Sequence, residues 1–293
     1  MANGQELRLR MRAIQQTLQV TKAMDLISTA KLRKARRILE DTEPFFMRIQ
    51  KSLYDIVVGA GMIPNEFIKR IEKNTAFHSA VLIISSDKGM AGGYNANIFK
   101  TVNTLCAQLR NPVLLPVGNS AYRYFSHAPY PLVENFSFNS QLPTLDDAQL
   151  ITHYLIMQYL WGMFDEIYIV YTHLYSTVKL VPTIHHLLPL DAQKIQAEII
   201  ESGGQQRTAL SFEYLPSAET VFEALVPLYL KGMIYGCLVE AYASEQSARM
   251  KAMNESSKNA EKMLADLQIY YNRIRQATIT QEMTEIISGS LGL

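Results

Sequence analysis

The sequence predicts an α/β protein with a long coiled coil. An antiparallel pair of terminal helices carries a small doubly wound α/β domain inserted between them. Three observations predict this. A strict 4-3 spacing of mostly apolar residues runs through residues 7–56, and a second of the same kind runs through 222–281. Between them, apolar runs of strand length alternate with helix-like segments. Spacing of 4 and 3 is the seam of a coiled coil. Strand–helix–strand alternation implies a mostly parallel sheet.

The first series is Leu7, Met11, Ile14, Leu18, Thr21, Asp25, Ser28, Leu32, Ala35, Leu39, Thr42, Phe46, Ile49, Leu53 and Ile56. No glycine falls between Gln5 and Val58, while Pro44 is expected to kink or break the helix. A helix over residues 3–58 would be roughly 80 Å long. Gly59–Asn74 reads as a linker with one short helical stretch.

Ala80–Ser86 reads as a buried strand, Asn95–Leu109 as a helix and Pro112–Val117 as a second strand. Leu145–Met163 reads as a helix with Asp146 and Asp147 in its first turn. Glu166–Thr172 reads as a third strand. A turn near His173–Thr177 leads to an antiparallel partner in Val178–Leu190, and residues 191–217 form an irregular return.

The last series is Phe222, Leu225, Tyr229, Gly232, Gly236, Val239, Ala243, Gln246, Met250, Met253, Ser257, Ala260, Leu264, Leu267, Tyr271, Ile274, Thr278 and Gln281. Its helix, over 218–287, would be roughly 100 Å long, with Pro227 a further site for a kink. Both helices far exceed the usual ~11–12 residues. Small and polar residues weaken the second seam, and a coil selected only for stability would hold Leu or Ile there. Two readings stay open: a shaft that touches something besides its partner helix, or tight local packing. The expected organisation is 1–58 first shaft helix, 59–76 linker, 77–212 α/β domain and 213–293 second shaft helix.

The 293 residues carry a net charge of +1, with 48% hydrophobic and 19% charged residues, which excludes a disordered chain. No window approaches the ~20 apolar residues of a membrane span. No signal-peptide core or transit segment is visible, so the chain reads as intracellular and soluble. Cys106 and Cys237 lie far apart and read as buried apolar residues, not a disulfide or zinc framework. Residues 1–60 hold 11 Lys and Arg against 6 Asp and Glu, and residues 213–293 net to −3. The excess centres on Lys31, Arg33, Lys34, Arg36 and Arg37, a run that suits nucleic acid, anionic lipid, an acidic protein surface or plain solvent. No aromatics interleave with it, which weakens single-strand binding.

Candidate chemistry is thin. The loop Ser86–Asn95 follows a strand and opens a helix, where phosphate could bind. It matches neither the Walker nor the dinucleotide pattern and is more simply a turn. No nucleophile elbow or metal motif occurs, and adjacent His185 and His186 point to opposite strand faces. Pattern alone favours a mechanical or interaction protein. A nucleotide-binding enzyme using that loop, or a basic coiled-coil module for nucleic acid, are the alternatives.

Three segments resemble the γ subunit of the F-type ATP synthase. They are Thr21–Met24 with Ala30–Ala35; Ser86–Gly89 with Gly92–Asn95; and Ser244–Met253 continuing through Tyr271–Ile287. The resemblance implies a central rotor shaft: paired helices inside a hexamer of α and β subunits, and a Rossmann-like domain binding the ε subunit and the membrane c ring, with δ in the same complex. It implies no catalysis and no cofactor on this chain, MgATP and MgADP being bound by α and β. No nucleic acid is implied. Membrane association would be peripheral, through the complex, on the cytoplasmic side of the plasma (inner) membrane. It carries over contacts toward β at Met24, Lys31, Arg33, Lys34, Lys88, Arg249, Gln276, Thr280 and Glu282, with Glu285 a weaker addition. It places Tyr214 at the foot near the c ring, and the tip Ser288–Leu293 in an apolar collar. Two departures stand out. Met90-Ala91 replaces the Leu-Cys of many relatives, and Asp25 sits where a basic or neutral residue is usual.

Overall fold

The computed structural model describes residues 2–59, 65–68, 77–133, 142–177, 179–190 and 214–291. The elements are α1 (Ala2–Gly59), β1 (Ser79–Ile84), α2 (Tyr94–Cys106), β2 (Pro112–Val117), α3 (Asn119–Phe125), α4 (Leu145–Leu160), β3 (Glu166–Leu174), β4 (Leu180–Leu188) and α5 (Ala218–Leu291). They fall into two compact units, one of residues 1–29 with 249–293 and one of residues 30–248.

In the first unit α1 and α5 lie side by side along the expected seam. Every α1 seam position from Leu7 to Ser28 is buried or half-buried, as is every α5 position from Met250 to Thr278. Polar seam residues are satisfied across the pair: Ser257 Oγ donates to Thr21 Oγ1 at 2.8 Å, and Thr21 Oγ1 donates back to Leu18 O at 3.1 Å. Arg8 Nε donates to the Tyr271 hydroxyl at 2.8 Å, and Lys22 meets Glu261 at 2.7 Å on the surface. These three links run antiparallel. Gln281 departs from expectation, being exposed. Arg8 lies opposite Tyr271, and residues 281–287 are all exposed.

The second unit holds a four-stranded sheet in the order β2-β1-β3-β4, with β1 parallel to β2 and β3, and β4 antiparallel to β3. β1 is buried along its whole length, which is why it reads as an unbroken apolar run. One face, with Val81, Ile83, Leu114 and Val170, packs on α2 and α3 through Ile98, Val102, Ala121 and Phe125. The loop 131–133 covers the outer edge of β2, Leu114 N–H donating to Pro131 O at 2.8 Å and Val133 N–H to Leu114 O at 3.0 Å. α4 begins with a capping box: Asp147 N–H donates to Thr144 Oγ1, and Thr144 N–H to Asp147. That is the helix-start role read for Asp146 and Asp147.

Several expectations need correction. Of the kink or break expected at Pro44, the break does not occur: the helix runs through it, as α5 runs through Pro227. Pro44 and Glu40 are both exposed, so water can take the Glu40 carbonyl that loses its partner. β3 extends to Leu174, so His173 lies in the strand and not in the turn. α3 was not expected, and α2 and α4 end three residues early. An 18-residue window of α5 has a mean hydropathy of 1.4, apolar enough to cross a membrane by length and composition, and half of it is buried in the protein. Residues 241–247 are buried without a gap, so this part of α5 is a core helix and not a striped one. Of the linker and return, only 65–68 and 214–217 lie among the described residues.

Candidate interaction surfaces

The loop after β1 is the place to look for phosphate chemistry, and it is occupied by its own side chains. Asn95 Oδ1 accepts from Ser86 N–H at 3.2 Å, and Asn95 Nδ2 donates to Ser86 Oγ at 2.7 Å. Ser86 Oγ donates to Lys88 O at 2.8 Å, and Asp87 accepts from Asn119 N–H at 3.0 Å. Met90 and Gly92 take positive φ angles of 63° and 57° to close the turn. Gly118, at φ 96°, lets the next loop approach so closely that a Cβ would lie 2.3 Å from Ser85 O.

Ligands of such sheets bind beyond the carboxyl ends of the strands. Here Ile84 and Val117, at those ends, meet Leu238, Ala241 and Tyr242 of α5, and the remaining cavity is about 10 Å³. That is the space of one water, not of a nucleotide. Tyr94 Oη donates to Ala241 O at 3.0 Å and fixes α2 to α5 at the same point. The structural reading of the glycine-rich loop as a turn is the one the geometry supports.

The basic run faces outward. Leu32 and Ala35 turn into the core at 5% and 0% exposure, which leaves Lys31, Arg33 and Lys34 on the exposed side. None of the three forms an ion pair with another described residue, whereas Arg37 pairs loosely with Asp41 at 3.9 Å. Lys88 is exposed on the loop after β1. Met24 and Arg249 are half-buried, and Gln276, Thr280 and Glu282 are exposed. Thr280 Oγ1 donates to Gln276 O at 2.9 Å within its own helix. Near the end of α5, Met283, Ile286 and Ile287 are 59%, 71% and 54% exposed. Tyr214 is half-buried, and burial together with the Asp55 carboxylate raises its hydroxyl pKa above the ordinary value. For the tip, the side chains of 288–291 and residues 292–293 lie outside the described residues.

Within the second unit the structure brings together residues that the sequence did not single out. Ser244 Oγ donates to Thr172 O at 2.8 Å, and Ser247 Oγ to Thr177 O at 2.9 Å. Glu240 Oε1 accepts from Leu174 N–H at 3.1 Å and meets His173 Nδ1 at 2.5 Å. A row of α5 side chains at 240, 244 and 247 therefore fastens the helix to the end of β3 and its turn. The signal was present: Glu240 is the one charge between Lys231 and Glu245, and a lone charge in an apolar helix needs a partner. His185 and His186 do face apart, His186 edge-on to Tyr168 with ring centres 4.9 Å apart and His185 beside His173 in a cavity wall. No cluster of three or more metal-ligating side chains occurs among the described residues.

The sequence profile of a family described as ATP synthase matches residues 3–293. The chain is 38% identical over 294 residues to the ATP synthase gamma chain of Acetivibrio thermocellus, covering all of both chains. It is 40% identical over 292 residues to that of Ruminiclostridium cellulolyticum, covering 99% of each. Its fold is similar to a chain of the OSCP/F1/c-ring structure of the Euglena gracilis mitochondrial ATP synthase, with a TM-score of 0.67, 16% identity, and coverage of 99% of this chain and 94% of that one.

Proposed function

The chain belongs to the ATP synthase gamma-chain family, and on that premise we propose that it works as the central rotor shaft of an F-type ATP synthase. It is a non-catalytic subunit of that complex. Torque from ion flow through a membrane c ring would enter at the foot and reach the catalytic β subunits through the paired helices. MgATP and MgADP would bind the α and β subunits. The complex would sit on the cytoplasmic side of the plasma membrane, with ε and δ as further subunits.

The observation that carries this reading is the unshared end of α5. Residues 281–287 are all exposed, and Met283, Ile286 and Ile287 put apolar surface there. A contiguous apolar surface of this kind marks an interaction site, and a collar of stator subunits suits it. The exposed basic row Lys31, Arg33 and Lys34 supports contact with acidic loops on β, since complementary charge orients partners. We assign Met24, Lys88, Arg249, Gln276, Thr280 and Glu282 to the same contacts, and Tyr214 to the foot.

Reconstitution tests it. The chain is mixed with α and β subunits of a close relative, and assembly and MgATP hydrolysis are measured. The expected result is one chain per hexamer and hydrolysis that depends on it. No incorporation where α and β assemble normally would overturn the rotor reading.

A further inference from the structure

The second unit contains a cavity of about 450 Å³ between residues 39–50 of α1, residues 229–240 of α5 and the β3–β4 pair. That lies within the ~300–1,000 Å³ range of small-molecule sites. Its walls are aromatic and soft, with Phe46, Tyr171, Tyr229 and Met233, and its charged lining is acidic, with Glu43 and Glu240. Among the described residues, no lysine or arginine lines it. Glu240 is held in place, its Oε1 taken by Leu174 N–H and His173.

Gly236 supplies a second, independent observation. Glycine in a helix interior lowers stability relative to alanine, so it needs a reason. Four residues earlier the reason is plain: a Cβ on Gly232 would lie 2.1 Å from the Phe46 ring. A Cβ on Gly236 would meet nothing within 4 Å, and Gly236 lines the cavity. The chain therefore keeps open, at a cost to its own helix, a space that no described residue enters.

We propose that this cavity binds a small organic cation with an aromatic or aliphatic body. The cationic head lies toward the carboxylate of Glu240 and the body against the Phe46 and Tyr229 rings. Aromatic faces and a fixed carboxylate both favour a cation over a neutral or anionic analogue. The site is separate from the surfaces assigned to rotation, and its test does not require the assembled complex.

The probe is tryptamine, titrated calorimetrically into the full-length chain beside its neutral analogue N-acetyltryptamine and the anion indole-3-propionate. The expected result is that tryptamine binds at least about tenfold more tightly than either analogue. Glu240→Gln should bring the three within about twofold. Gly236→Leu, which adds a good helix former into the open space, should abolish binding while the circular dichroism and melting of the chain are retained. Bound tryptamine should also slow alkylation of Cys237, which lines the cavity. Equal binding of all three compounds, no binding at millimolar tryptamine, or binding unchanged in Gly236→Leu would each overturn the proposal. So would shielding of Cys237 by assembly with partner subunits but not by tryptamine, which would assign the space to a partner's side chain.

Discussion

Gly232 and Gly236 are one helical turn apart and answer opposite demands. At Gly232 an added methyl collides with the Phe46 ring. Gly232→Ala gains up to about 1 kcal/mol of helix propensity but should lose about 1–3 kcal/mol to overpacking, a net destabilisation. In a Phe46→Leu background the clash is relieved, and the same substitution should become neutral or stabilising. A double-mutant cycle by urea denaturation reads this as strong non-additivity; additive effects would show that Phe46 is not the obstacle. Gly236→Ala should instead stabilise by about 0.5–1 kcal/mol, since its methyl enters open space. Cys106 gives a pH-dependent counterpart. Burial pushes its thiol up from 9.0 to about 11, so folding favours the neutral form. The stability this adds is intact below pH 9 and is lost as pH rises through 11. At pH 8 its thiolate population should be about a hundredfold below that of the unfolded chain. Iodoacetamide should therefore label Cys106 slowly in the native protein and rapidly in urea; equal rates would contradict it. The burial of Cys106 was legible in the sequence, where it reads as a buried apolar residue; the contrast between the two glycines was not. The sequence showed two glycines on one seam, and only three-dimensional packing could say that one is filled and the other vacant.

Elements were more legible, because periodicity reports burial directly. β1 stood out since both its faces are covered, and β4 was read as an antiparallel partner from its turn and length. α3 escaped because seven residues give too few turns for a period to show. A break at Pro44, one of the two outcomes expected there, does not occur: Ile49, Leu53 and Ile56 hold α1 beyond it at 7%, 0% and 2% exposure. The seam of α5 predicted one buried stripe throughout. In fact the helix is buried without a gap over 241–247, striped over 250–278 and bare over 281–287. Hydrogen exchange of the full chain should follow that gradient. Amides near Glu240–Ser247 should be among the most protected, protection should decline beyond Met250, and residues after Gln281 should exchange nearly as fast as a free peptide. Uniform full protection of Met250–Ile287 would show that the two helices hold each other without a partner.

For the whole molecule, the function rests on contacts that only an assembled complex can show, so the resemblance carried over residues whose roles the fold alone does not reveal. Met24 is the sharpest case. It is half-buried beside the seam residue Asp25. If Met24 slides against β as the shaft turns, an apolar thioether suits the contact, since it adapts to a changing surface without directional bonds. Met24→Lys would place a charge at that sliding contact. A charge left unpaired there costs several kcal/mol in whichever orientation desolvates it, a bias on the order of a hundredfold or more among rotor positions. Hydrolysis that slips past such a bias would release its energy as heat instead of driving the ring. In reconstituted vesicles the variant should lose ion pumping at least about fivefold while hydrolysis changes by less than about twofold. A proportional fall in both would mean that Met24 is a packing residue of the shaft and not a contact with the stator. Met24→Leu, which keeps volume and polarity, should leave both rates near the parent values and so separates loss of the contact from damage to the helix pair.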